Sequence, residues 1–70
     1  MDIRARMAGQ IIAVHVKEGD RISGKDVIAV LDAMKMEQPV SVPADGTVVS
    51  VNVAPGDIVK AKQLIAVIES

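Results

Sequence analysis

Apolar and polar residues along this chain alternate over short stretches and do not recur at helical spacing. Through 10–16 the second half runs Ala13, Val14, His15, Val16, with the valines on one face and Ala13 and His15 on the other. That two-residue period marks a half-buried strand. The same pattern returns over 47–53, and two further strongly β-branched runs lie at 27–32 and 64–69. Between them stand single apolar steps, Arg21-Ile22 and Ile58-Val59, and turn signals in which glycine precedes aspartate, Gly19-Asp20 and Gly56-Asp57. Glycine supplies the positive φ such turns require, and aspartate can bond the backbone beside it. Short strands with frequent turns predict a small all-β sandwich or barrel, with the turns at its ends.

The elements occur in duplicate. Shifting the chain by 37 residues aligns 9–32 with 46–69 without a gap, and nine of the 24 pairs are identical. They include Gly9/Gly46, Gly19/Gly56, Asp20/Asp57 and Lys25/Lys62, and six more pairs are conservative, such as Ile11/Val48 and Ile22/Val59. Chance at this composition gives about two identities, so the chain is an internal duplication. Two copies are too few for a solenoid; two β units facing each other across a pseudo-two-fold axis share one core.

The stretch between the copies, 33–42, has no counterpart in this alignment. Residues 29–37 favour helix by propensity, being rich in Ala, Leu, Met, Lys and Glu. The repeat nevertheless ties 29–32 to the strand at 66–69, and 38–42 looks extended before Pro43. The chain must therefore reverse near Met34–Met36, at the junction of the halves. A tight exposed turn prefers Asn-Gly, so Met34, Lys35 and Met36 break the local rule there. A broken local rule without structural gain points to function.

Composition narrows the chemistry. Among the 70 residues are 12 Val, 8 Ile and 2 Leu, with no Phe, Tyr, Trp or Cys and a formal charge of −1. A chain of this length forms one small domain, 1–70. Without aromatic residues there is no platform for stacked bases, and without net positive charge no field for phosphate backbones or anionic lipid, so neither nucleic acid nor membrane insertion is expected. The lack of cysteine removes thiolate nucleophiles, disulfides and Cys-based metal sites. No metal site or catalytic residue is expected. No apolar run is long enough to span a membrane, and the first residues do not read as a signal peptide, so a cytoplasmic protein is expected. His15, paired with Asn52 in the repeat, reads as a solvated residue; Asp20 and Asp57 read as turn formers, and Lys25 and Lys62 as solvated.

Ala33-Met34-Lys35-Met36 resembles the attachment motif of biotinyl domains, the carrier modules of biotin-dependent carboxylases, decarboxylases and transcarboxylases. Val16-Lys17-Glu18-Gly19-Asp20 upstream, and Pro43-Ala44-Asp45-Gly46 and Pro55-Gly56-Asp57 downstream, are similar to segments of that family, so the resemblance covers the whole chain. Asp32 stands where the family commonly has Glu, and the segment 6–9 lacks a Pro often found before its glycine. No inserted thumb loop is evident, which favours the compact type.

The resemblance implies a flattened barrel or sandwich (a barrel-sandwich hybrid) of two quasi-symmetric four-stranded halves, with the modified lysine at a hairpin tip and the termini at the opposite end. It implies covalent biotin on Lys35, with Ala33, Met34 and Met36 as the recognition motif. The implied partners are a biotin protein ligase and the biotin carboxylase and carboxyltransferase domains or subunits, between which the arm carries carboxybiotin. If the chain belongs to a eukaryotic carboxylase, the mitochondrial matrix is implied instead of the cytoplasm. The carrier itself is not an enzyme; the chemistry belongs to cofactor and partners. Met suits a tip read by several partners, because an unbranched thioether packs adaptably. Two alternatives stay open: a lipoyl carrier, whose domains share the fold but usually show Asp before the lysine and Ala after it, and an unmodified barrel-sandwich interaction module.

Overall fold

The computed structural model describes all residues, Met1–Ser70. Eight strands and no helix make up the chain: β1 (Asp2–Arg4), β2 (Gly9–Val14), β3 (Arg21–Ile22), β4 (Val27–Ala33), β5 (Met36–Ser41), β6 (Gly46–Val51), β7 (Ile58–Val59) and β8 (Leu64–Glu69). They form two open antiparallel sheets, ordered β1-β8-β6-β3 and β5-β4-β2-β7. The all-β sandwich of two four-stranded halves expected from the sequence is therefore the observed architecture. Each sheet takes two strands from each half, so the halves interlock. No helix is long and apolar enough to cross a membrane.

The 37-residue relation holds pair by pair. In one sheet Gln10 faces Asp32 and Val14 faces Ala29; in the other Thr47 faces Glu69 and Val51 faces Ala66. Gly9 faces Val59, and reciprocally Gly46 faces Ile22. Exchanging the halves leaves such contacts unchanged, and that reciprocity is the signature of a two-fold axis. The repeat also reaches further back than its identities show. Asp2, Ile3 and Arg4 pair with β8 as Pro39, Val40 and Ser41 pair with β4, so β1 is the counterpart of the second part of β5. The expectation that 38–42 lacks a counterpart is corrected by this pairing; only the hairpin turn and the first residues of β5 are unique.

The register shifts between Ile11 and Ala13 in β2 and between Val48 and Ser50 in β6. A bulge at each place turns Ile12 and Val49 outward and resets the phase. Ile11 can thus be fully buried while Val14 and Val16 also pack on the core. The strands end at Val14 and Val51, two residues earlier than their apolar pattern predicts, although Val16 and Val53 still face inward. The core is one cluster of aliphatic residues with no buried polar side chain, and Ile11, Ile28, Val42, Val48, Val59, Ile65 and Ile68 are its largest fully enclosed side chains.

The glycine-aspartate turns tie the sheets together. Asp20 Oδ2 accepts from Lys17 N at 3.0 Å, and Asp57 Oδ2 accepts from Ala54 N at 2.8 Å. Gly19 (φ 93°) and Gly56 (φ 96°) occupy the left-handed region, as a residue lacking Cβ readily does. Gly19 N donates to the Val48 carbonyl at 2.8 Å and Gly56 N to the Ile11 carbonyl at 2.7 Å. Lys25 and Lys62, expected only to be solvated, also have positive φ (74° and 71°), so their recurrence marks a second turn in each half.

Candidate functional site

The turn of the β4–β5 hairpin, with the first residues of β5, is the one segment without a twin. Pairing runs from Val27↔Ser41 to Ala33↔Met36, leaving Met34 and Lys35 as a two-residue loop. Both residues are left-handed, with φ of 54° and 66°, as a type I′ turn requires. Such a turn matches the twist of the strands but places Cβ of a non-glycine residue against its own backbone, at about 1–2 kcal/mol per residue. The reversal predicted near Met34–Met36 is present, with Met36 already in β5.

The base of the hairpin is closely packed. Strand β4 lies inside its sheet, between β5 and β2. Ala33 is only 3% exposed, and Leu31 is buried below it. Opposite them is Gly9, where a Cβ would lie 2.5 Å from the Asp32 carbonyl oxygen and 3.2 Å from Ala33 Cβ. Glycine at position 9 is what lets β2 approach this closely. Ala33 thus serves the tip through packing and backbone, because its side chain is not presented to solvent.

Above that base the side chains are open. Met34 is 87% exposed and Met36 65%, whereas Met7 packs against the core. Lys35 is exposed and enters no ion pair; the one in the chain joins Arg4 to Asp2. Asp32 faces Glu37 directly across the strands below the turn. Like charges at that spacing repel, so the hairpin carries an electrostatic cost as well as a torsional one. The arrangement can present a primary amine at the end of a flexible stem on a fixed platform. His15 is exposed on β2's continuation, and Asp20 and Asp57 are held in their turns.

Sequence reasoning named Ala33, Met34, Lys35 and Met36, and the structure brings all four together. It missed Gly9 as the support of the hairpin and the Asp32–Glu37 pairing. The hairpin register would have disclosed the second; the first needed the β2–β4 register.

The family Biotin_lipoyl, described as "Biotin-requiring enzyme", matches residues 1–69. The chain belongs to this family. Among similar proteins is the "Biotinylated protein TB7.3" of Mycobacterium tuberculosis, 48% identical over 39 residues, which are 56% of this chain and 55% of that protein. The "Biotin/lipoyl attachment protein" of Bacillus subtilis is 41% identical over 46 residues, 66% of this chain and 63% of that one. The matches thus span a little over half the length of these curated relatives. A solved single-chain, multi-domain long-chain acyl-CoA carboxylase superposes with a TM-score of 0.91 at 31% identity, covering 97% of this chain and 7% of the larger one. The Kluyveromyces lactis urea carboxylase gives 0.91 at 28%, covering 99% and 6%. The protein is a biotin carrier domain, of the kind that forms a small part of biotin-dependent carboxylases.

Proposed function

We propose that residues 1–70 act as one non-catalytic biotinyl domain whose cofactor is joined to Lys35. The observation that carries this reading is the left-handed Met34–Lys35 turn, which holds the amine clear of the fold in a conformation that packing does not require. An exposed amine on a four-carbon stem fits the group: biotin's carboxyl, activated by a biotin protein ligase, is attacked by the deprotonated amine. An amide forms, the activating group leaves and a proton is released. Met34 and Met36 offer thioether surface to the ligase and afterwards to carboxylase partners, while Ala33 and Gly9 keep the turn in place.

Bound biotin supplies a carrier for carboxyl groups. This chain's own part is tethering, which raises the cofactor's effective concentration at each partner site to roughly the millimolar range when the arm spans the gap. The partners served are a biotin carboxylase and a carboxyltransferase site, in the cytoplasm or, within a eukaryotic carboxylase, the mitochondrial matrix. The TB7.3 and carboxylase names support biotin over lipoate.

The test is intact mass after incubation with biotin, ATP and a biotin ligase. One biotinyl group is expected on the parent chain and none on Lys35→Arg, with thermal stability unchanged. Biotin retained by Lys35→Arg refutes the assignment, and a lipoyl mass on the natively expressed chain redirects it to the other cofactor.

A further inference from the structure

The pseudo-two-fold axis separates what the fold needs from what it does not. Charges that recur at the 37-residue offset have places in the duplicated frame, as Asp20 and Asp57 do in its turns. Arg4 and Arg6 stand where the other half has Ser41 and Pro43, so neither is required by the duplicated frame. Arg4 is accounted for: its guanidinium donates to the Lys62 carbonyl at 3.0 Å and to Asp2 at 3.1 Å. Arg6 is exposed and enters no ion pair.

Both arginines line a groove of about 570 Å³ between the edge strands β1 and β5. Its volume is within the roughly 300–1,000 Å³ usual for small-molecule sites. Met36, Pro39 and Val40 supply apolar wall over a floor that the buried Ile3 and Leu31 close from below, while Arg6, Gln38 and Ser41 supply polar groups. Met36 is also the neighbour of Lys35, so the groove begins where the attachment residue stands.

Reach can be worked from the strand. Three backbone bonds span about 3.4 Å in β structure, which puts Gln38 about 10 Å along β5 from Lys35. Eleven bonds separate a lysine Cα from the ring of an attached biotin, an extended length of about 12 Å on the same scale. The ring therefore reaches the level of Gln38 without any change of backbone.

We infer that the groove between β1 and β5 is a resting seat for the group carried on Lys35, with Arg6 as the residue that holds its polar edge. This rests on the reading of Lys35 as the biotin attachment point. The occupant is amphipathic in the same sense as the groove. Its acyl chain and thiolane ring face Met36, Pro39 and Val40, and its ureido carbonyl accepts from the Arg6 guanidinium. The seat is reversible, because the groove is open to solvent on its outer side and the tether must still deliver the ring to partner sites.

The experiment uses isotopically labelled chain, biotinylated by purified ligase and checked by intact mass, beside the unmodified chain and biotinylated Arg6→Gln. Expected are amide shift changes that extend from Met36 to Val40 and across to Ile3, and nuclear Overhauser contacts from the biotin rings to the Met36 methyl and the Gln38 and Pro39 side chains. Capture by avidin is expected to be about two- to fivefold faster for Arg6→Gln, as follows if the seat is occupied for half to four-fifths of the time. Shift changes confined to residues 33–37 in a fully biotinylated sample overturn the seat and leave Lys35 untouched. Equal capture rates overturn the role of Arg6. Absence of any biotinyl mass overturns the attachment reading, and the seat with it.

Discussion

Replacing the hairpin turn by Met34→Asn with Lys35→Gly should make the protein more stable while abolishing its modification. Both residues are left-handed (φ 54° and 66°), and each non-glycine residue in that region costs about 1–2 kcal/mol. Glycine removes the steric part at position 35 but loses about 0.5–1 kcal/mol of chain entropy. Asparagine tolerates the left-handed region better than methionine, through its short polar side chain. Little packing is forfeited, since Met34 is 87% exposed. The net gain is about 1–2 kcal/mol, and each kcal/mol raises Tm by roughly 4–8 °C in a domain of this size. Urea denaturation and calorimetry measure it, with an unchanged m-value as the check that the unfolded state is the same. Lys62→Gly (parent φ 71°) is the control: it should gain stability by the same route and remain fully modifiable. A double variant no more stable than the parent refutes the claim that this turn is held against local preference.

The two repeat-related glycines give a second comparison. A Cβ on Gly9 would lie 2.5 Å from the Asp32 carbonyl oxygen and one on Gly46 2.6 Å from Ile68 Cγ2, so either alanine variant should lose about 1–3 kcal/mol by thermal denaturation. Only Gly9→Ala displaces the base of the Lys35 hairpin, so it alone should also slow biotinylation at a temperature where both variants are folded. Met34→Ser should leave stability within about 0.5 kcal/mol, because the side chain is exposed. If a ligase buries that thioether, worth about 1.5–3 kcal/mol, the same variant should lower kcat/KM for biotinylation about tenfold or more; an unchanged value removes Met34 from recognition.

The duplication explains why so much could be read in advance. Glycine-aspartate turns, the paired Ile28-Ala29-Val30 and Ile65-Ala66-Val67 strands and the outward His15 all follow from local chemistry repeated twice, which cancels chance resemblance. Strand β1 escaped that reading. Asp2, Ile3 and Arg4 share no identity with Pro39, Val40 and Ser41, and three residues are too few to show a period. Its strand character comes from β8, more than 60 positions away, through Asp2↔Val67 and Ile3↔Ala66. Strand propensity reflects such neighbours more than the backbone itself.

Local residue chemistry decided that the chain is all-β, that it is built twice, and that its one unmatched turn carries a lysine between two methionines. Long-range pairing decided the rest. The bulges at Ile12 and Val49 set which apolar residues enter the core. The close approach of Gly9 to Asp32 makes the hairpin base firm. The meeting of edges β1 and β5 forms the groove beside Lys35. Each depends on backbone groups brought together from distant parts of the chain, and a hydrogen-bonding backbone is the same at every position, so side-chain order alone does not say which strand will face which.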